Sequence, residues 1–154
     1  MPDFVLKTLY YSTIHSHLNY CLAIWGNTYP THVQPLFLLQ KRAIRMITGS
    51  PPLETSLPLF KQTSILTLFD SVKLEIVSYS YKNLNSDIFR RAQHDYYTRF
   101  RDDFVLPNFN LIVYKHSLTY NAPKMWNNVP NNIKVKRSSY SFRRSYKKYL
   151  LSRY

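Results

Sequence analysis

A chain of 154 residues with 45% apolar content, 14 Tyr and 9 Phe can bury a core and is too apolar for a disordered segment. Its net charge of +13 attracts polyanions, nucleic acid being the commonest inside a cell, the alternative being a basic protein whose lysines simply face water. No apolar run approaches the ~20 residues of a membrane span, no signal-peptide pattern opens the chain, and Cys21 has no second cysteine to pair with; an intracellular protein, in cytoplasm or nucleus and without a membrane partner, is expected.

A first helix is expected from Asp3 to Trp25, with Asp3 as its cap. Leu6, Tyr10, Ile14, Leu18, Cys21 and Trp25 recur at helical spacing, with Thr8, Ser12, His15, Ser16 and Asn19 as the polar side and Gly26 as the stop. His15 and His17 stand two apart on such a helix and point different ways, so they are not a metal pair. On the apolar arc Cys21 is packing, not a nucleophile.

Thr31 is then placed to cap a second helix, which ends in LFLLQKRAIRMITG, Leu36 to Gly49. At about 100° per residue, Val33, Leu36, Phe37, Leu39, Ala43, Ile44, Met46 and Ile47 share one apolar arc, while Lys41, Arg42 and Arg45 gather opposite. Gly49 can turn left-handed and Pro51 and Pro52 forbid continuation. The short Asn27 to Pro30 turn predicts antiparallel packing that buries Trp25 against this arc. Gln40, near its middle, needs a hydrogen-bond partner.

A short helix follows around Ser56 to Gln62, and a longer one from about Leu68 to Asn83, opened by a near capping box of Thr67 and Asp70. Leu68, Phe69, Val72, Ile76 and Tyr79 form one apolar stripe of the longer helix and Leu74, Val77, Tyr81 and Leu84 another, which predicts a central, sandwiched helix. From Asn85 to Asp103 the pattern dissolves, marking a boundary. FVLPNF, LIVY and SLTY beyond it are β-compatible runs, for a small hairpin or extended segments. Ala122 to Asn128 reads as a short helix opened by Pro123 with Trp126 buried, and Pro130-Asn131-Asn132 as a turn. Trp25 and Trp126 could stack on bases, but both stand where a core wants them.

The charge is concentrated towards the end of the chain. After Asp103 no acidic residue occurs, while Lys134, Lys136 and Arg137 precede a final helix, about Ser139 to Ser152. Phe142, Tyr146, Tyr149 and Leu150 lie on one side of that helix, and Arg143, Arg144, Lys147 and Lys148 on the other. Its apolar side is mostly Tyr, which suits docking on protein better than lying on a membrane.

Catalytic patterns are wanting. Phe100-Arg101-Asp102-Asp103 matches the aromatic-x-Asp-Asp signature of polymerase palms, but lacks flanking apolar strands and a third carboxylate. There is no glycine-rich phosphate loop, zinc knuckle or Gly-x-Ser-x-Gly elbow, so catalytic residues, metal, cofactor and small-molecule substrate are all expected to be absent.

LYYSTIHSHLNYCLAIWG (Leu9 to Gly26), ending in Trp25-Gly26, followed by Leu39, Gln40, Lys41, Arg42, Ala43, Arg45 and Gly49, resembles the region just beyond the palm in jockey-type reverse transcriptases of non-LTR retrotransposons. The likeness continues through HDYYTR (His94 to Arg99), SLTYNAPKMWNNVPNNIK (Ser117 to Lys134) and SFRRSYKKYLL (Ser141 to Leu151). It implies a thumb and C-terminal extension that helps to hold RNA template and primer–template duplex, with endonuclease, fingers and palm missing. A chain opening at Met1 is then expected to be a truncated copy. The FRDD segment also falls on the wrong side of the Trp-Gly and Gln-Lys-Arg motifs for that family's order.

The resulting expectation is a mainly α fold, a thumb-like helical bundle over 1–84 and a basic C-terminal extension over 85–154 with short strands and a terminal amphipathic helix. Lys41, Arg42, Arg45, Lys134, Lys136, Arg137, Arg143, Arg144, Lys147 and Lys148 would meet the phosphates of RNA or an RNA–DNA hybrid without reading bases. Upstream polymerase domains of the same element are a further partner. The competing expectations are a module that binds an acidic protein, and a non-functional relic.

Overall fold

A computed structural model describes residues 3–91 and 103–154. His94 to Arg99, the Phe100-Arg101-Asp102 part of the palm-like match and the side chain of Asp3, with its expected cap, lie outside the described residues.

The fold is mainly helical. The expected first helix is broken into α1 (Asp3–Leu9), a π-helical turn (Tyr10–His15), α2 (Ser16–Asn19) and α3 (Leu22–Trp25). Hydroxyls account for the first departure: Thr8, Thr13 and Ser16 donate to the carbonyls of Phe4 (2.8 Å), Leu9 (2.6 Å) and Ser12 (2.6 Å), back-bonding that bends helices. The second break is at Cys21, which takes a left-handed φ of 49°. Its thiol is exposed, not packed as expected. The indole of Trp25 donates to the Tyr20 carbonyl at 2.7 Å, satisfying an acceptor beside the break.

α4 (Pro30–Thr48) starts with Pro30 at its first turn after Tyr29, so Thr31 is not its cap. Its buried residues, Val33, Phe37, Gln40, Ile44 and Ile47, step by four and three along one stripe. That stripe is narrower than the expected arc: Leu39 and Met46 are exposed, Met46 at 77%. Gly49 closes the helix at φ 65°, its amide donating to the Arg45 carbonyl.

α5 (Ser56–Thr63) leads to α6 (Leu68–Lys82), which is central as expected. α3, α4, α7 (Leu118–Asn127) and α9 (Ser139–Leu151) all pack against it. Thus α3 lies on α6, not on the α4 stripe; α1 takes the place against α4, and Trp25 is only half-buried. Gly26 permits the contact with α6, since a Cβ there would stand 2.4 Å from Val72 Cγ2 and 2.6 Å from the Leu22 carbonyl.

The start of α6 is held by residues from three directions. Gln40 donates to the Tyr10 hydroxyl (2.9 Å) and the Leu66 carbonyl (3.0 Å) and accepts from the Leu68 amide (2.8 Å), which meets the demand its position creates. Thr67 accepts from the Asp70 amide (3.3 Å), half of the expected capping box. The other half is replaced by Tyr154, whose hydroxyl accepts from the Thr67 amide (3.0 Å) and donates to Asp70 Oδ2 (2.7 Å). Burial works to raise the Asp70 carboxyl, but hydrogen bonds from Lys73, Tyr154 and Thr67 outweigh it and hold the group below its usual range.

No strand occurs among the described residues, and the expected β-compatible runs take other forms there. Phe104 makes an isolated bridge to Arg91, and its own amide and carbonyl are clipped by the Asn127 side chain at 3.0 and 2.9 Å. One side chain thus satisfies the groups that a neighbouring strand would. LIVY enters a 3-10 turn (Ile112–His116), and SLTY opens α7, with Ser117 accepting from the Tyr120 amide. α7 therefore begins before the expected Ala122, and Pro123 lies inside it. The expected Pro130 turn is a short helix, α8 (Asn131–Lys134). Phe142 of α9 is fully buried, stacked on Tyr81 of α6 (4.4 Å) and beside Trp126 of α7 (5.6 Å). Buried residues from both sides of residue 84 form one cluster.

Candidate nucleic-acid interface

The ten cations singled out in the sequence fall into two groups. Arg42, Lys136, Arg137, Arg144 and Lys148 are exposed; Lys41, Arg45, Lys134, Arg143 and Lys147 are half-buried. Most of the second group are engaged within the fold. Lys41 lies 4.4 Å from the centre of the Phe37 ring, and the Arg45 guanidinium donates twice to the Glu54 carbonyl (3.2 and 2.9 Å), tying α4 to the loop after it. Lys134 donates to the Asn127 carbonyl at 3.3 Å and stands 6.0 Å from the Trp126 ring.

Arg143 crosses from α9 to α6. It forms a forked ion pair with Glu75, one arm at 3.0 Å, and reaches Ser78 Oγ at 3.3 Å. Lys147, one turn on, is half-buried; burial first and Arg143 second push its ammonium below the usual lysine range. So the four cations of α9 do not form one solvated face. Arg144 and Lys148 point to water, whereas Arg143 is spent on an interhelical contact. Sequence reasoning missed Glu75; the signal was an acidic residue between Leu74 and Ile76 in the middle of α6, with only cations to meet it from the last third of the chain.

The exposed cations occupy two places. Arg42 lies on α4 beside a surface depression of about 770 Å³ that also involves Leu38, Arg45, Met46 and Pro52. Lys136 is anchored to α6 by its carbonyl, which accepts from the Tyr81 hydroxyl at 2.7 Å. Arg137 follows, and Arg144 and Lys148 are one turn apart on α9. Among the described residues only two ion pairs form, Lys73 with Asp70 and Arg143 with Glu75, so the exposed cations have no carboxylate to neutralise them.

Among the described residues no group of three or more His, Cys, Asp or Glu could hold a metal ion, and no helix is long and apolar enough to cross a membrane. No protein-family model, no curated protein and no solved structure matches the chain.

Proposed function

We propose that this chain is a non-catalytic, intracellular C-terminal part of a jockey-like RNA-directed DNA polymerase that grips the backbone of RNA or an RNA–DNA hybrid, alongside the upstream domains of the same element. The observation that supports this reading most is the set of exposed cations that meet no carboxylate among the described residues, Arg42 on α4 and Lys136, Arg137, Arg144 and Lys148 near α6 and α9. Lysine and arginine without acidic neighbours create a field that draws phosphates and releases their counterions. Such contacts fix position and carry no sequence information.

Binding to an RNA–DNA hybrid and to heparin across a salt series tests it. The hybrid binds more tightly than heparin, and Arg144→Gln with Lys148→Gln lowers the salt slope by about 1.5, since each lost phosphate contact removes about 0.7–0.9. Equal binding to both polyanions, or an unchanged slope, refutes the grip.

A second reading, a module for an acidic protein, is favoured by the apolar residues around Arg42. Leu38 (47% exposed) and Met46 (77%) offer nothing to a phosphate backbone but suit a protein partner with apolar anchors.

A further inference from the structure

α7 and the 3-10 turn before it face the 27–30 loop and the first turns of α6 across an open cleft of about 420 Å³. Small-molecule sites span about 300–1,000 Å³, so the size suits one. The floor is apolar: Val72 is buried, and Phe69 and Met125 are half-buried. Lys115 and Lys124, both exposed, also line the cleft, and no acidic residue is among the described residues of the lining. Lys124 stands 5.5 Å from the centre of the Tyr120 ring, a contact that holds the ammonium at the cleft without neutralising it. Lys73 is there too, but Asp70 pairs with it at 2.7 Å, which leaves Lys115 and Lys124 for an anion.

Two half-buried polar side chains of the lining have an acceptor to spare. His116 Nδ1 stands 2.8 Å from the Asn27 carbonyl, so it carries the proton and donates, and in the neutral ring Nε2 is left as an acceptor. The Tyr29 ring packs on this imidazole at 4.2 Å. Asn121 donates its Nδ2 to the carbonyls of Lys115 (2.8 Å) and Ser117 (3.1 Å), and its Oδ1 has no partner among the described residues. Both acceptors reach solvent, since among the described residues only Asn19 Oδ1 is a fully buried side-chain polar atom without a partner. An acyl chain laid over this lining would take the two acceptors from water unpaired. A flat heterocycle with an amino group covers the same floor and supplies the missing donor, and Met125 is suited to an aromatic ring.

We propose that this cleft binds a nucleoside phosphate whose base carries an exocyclic amino group. The ring lies on the apolar floor, the amino group donates to His116 Nε2 or Asn121 Oδ1, and Lys115 and Lys124 meet the phosphate. The nucleotide is either free or the unpaired end of a strand. The site goes beyond the backbone grip and does not rest on it: Arg42, Lys136, Arg137, Arg144 and Lys148 are not in its lining, and it reads a base where the grip reads none.

Calorimetric titration of the full chain with CMP, UMP, cytidine, ribose 5-phosphate and octanoate tests the assignment. CMP binds saturably. UMP, which has a carbonyl in place of the amino group, binds about tenfold more weakly, the effect of one lost hydrogen bond. Cytidine lacks the phosphate and ribose 5-phosphate the base, and each loses at least as much; octanoate, an anion with an acyl body, does not saturate. Lys115→Met combined with Lys124→Met binds CMP no better than cytidine, while Lys82→Met, an exposed cation of α6 outside the cleft, binds it as the unaltered chain does. Should the double variant misfold, the comparison of ligands on the unaltered chain still decides. An RNA–DNA hybrid with one unpaired cytidine that displaces CMP better than the blunt hybrid assigns the site to strand ends; equal displacement assigns it to the free nucleotide. CMP needs no polymer, so a failed backbone grip leaves this titration unaffected. No saturable CMP binding, equal affinity for UMP, ribose 5-phosphate or octanoate, or undiminished affinity in the folded double variant overturns the proposal.

Discussion

Gln40 is a polar residue in the middle of an apolar stripe, and its amide is what joins α4 to two other parts of the chain. The carboxamide oxygen caps the first amide of α6, and the nitrogen holds the Tyr10 hydroxyl and the Leu66 carbonyl. A leucine of similar volume would fill the space and leave three polar groups without partners. Gln40→Leu is therefore expected to destabilise by about 3 kcal/mol, a larger effect than its shape alone warrants, read as a lower urea midpoint. Gln40→Glu separates the roles: a carboxylate can still accept from Leu68 but cannot donate to Leu66. The need for a partner was legible in the sequence because helical spacing places Gln40 among Phe37, Ile44 and Ile47. Which partners it finds was not, since they come from positions 10, 66 and 68.

The two glycines make a contrast at the scale of elements. At Gly26 φ is ordinary but α6 leaves no room, whereas at Gly49 there is open space around the position but the backbone is left-handed. Gly26→Ala should drive α3 off Val72 and cost several times what Gly49→Ala does, the latter being about 1 kcal/mol of backbone strain; thermal midpoints of the two variants measure this. The same contrast explains what could be read in advance. α4, α6 and α9 were legible because their apolar positions recur every three or four residues over many turns, and their observed bounds lie close to those expected. The N-terminal segment shows the same recurrence, but Thr8, Thr13 and Ser16 turn their hydroxyls onto the backbone and Cys21 reverses its φ, neither of which alters the spacing of apolar residues. The β-compatible runs failed for a related reason: β-branched and aromatic residues favour a strand only when another strand is there to pair with. The cationic sites were legible as types but not as roles, because whether Arg143 meets solvent or Glu75 depends on how α9 sits on α6.

For the whole molecule, tyrosines are as consequential as cations. Burial raises the phenols of Tyr10, Tyr11, Tyr146 and Tyr154, Tyr146 to about 12. The unfolded chain ionises these groups near 10, and the folded chain resists doing so. Their contribution is thus fully present below pH 10 and is lost as pH rises towards the folded values, so stability should fall steeply from about pH 10 upward, seen as tyrosinate absorbance appearing together with loss of helical circular dichroism. Simple ionisation without unfolding would give the absorbance alone. Tyr154 also bears on time. Its hydroxyl meets Thr67 and Asp70 across 87 and 84 residues of chain. Closing so long a loop has a high entropic cost, and little of that contact can have formed when the barrier to folding is crossed. Tyr154→Phe should leave the refolding rate nearly unchanged and quicken unfolding, so that this hydroxyl governs how long a folded molecule lasts, not how fast one forms.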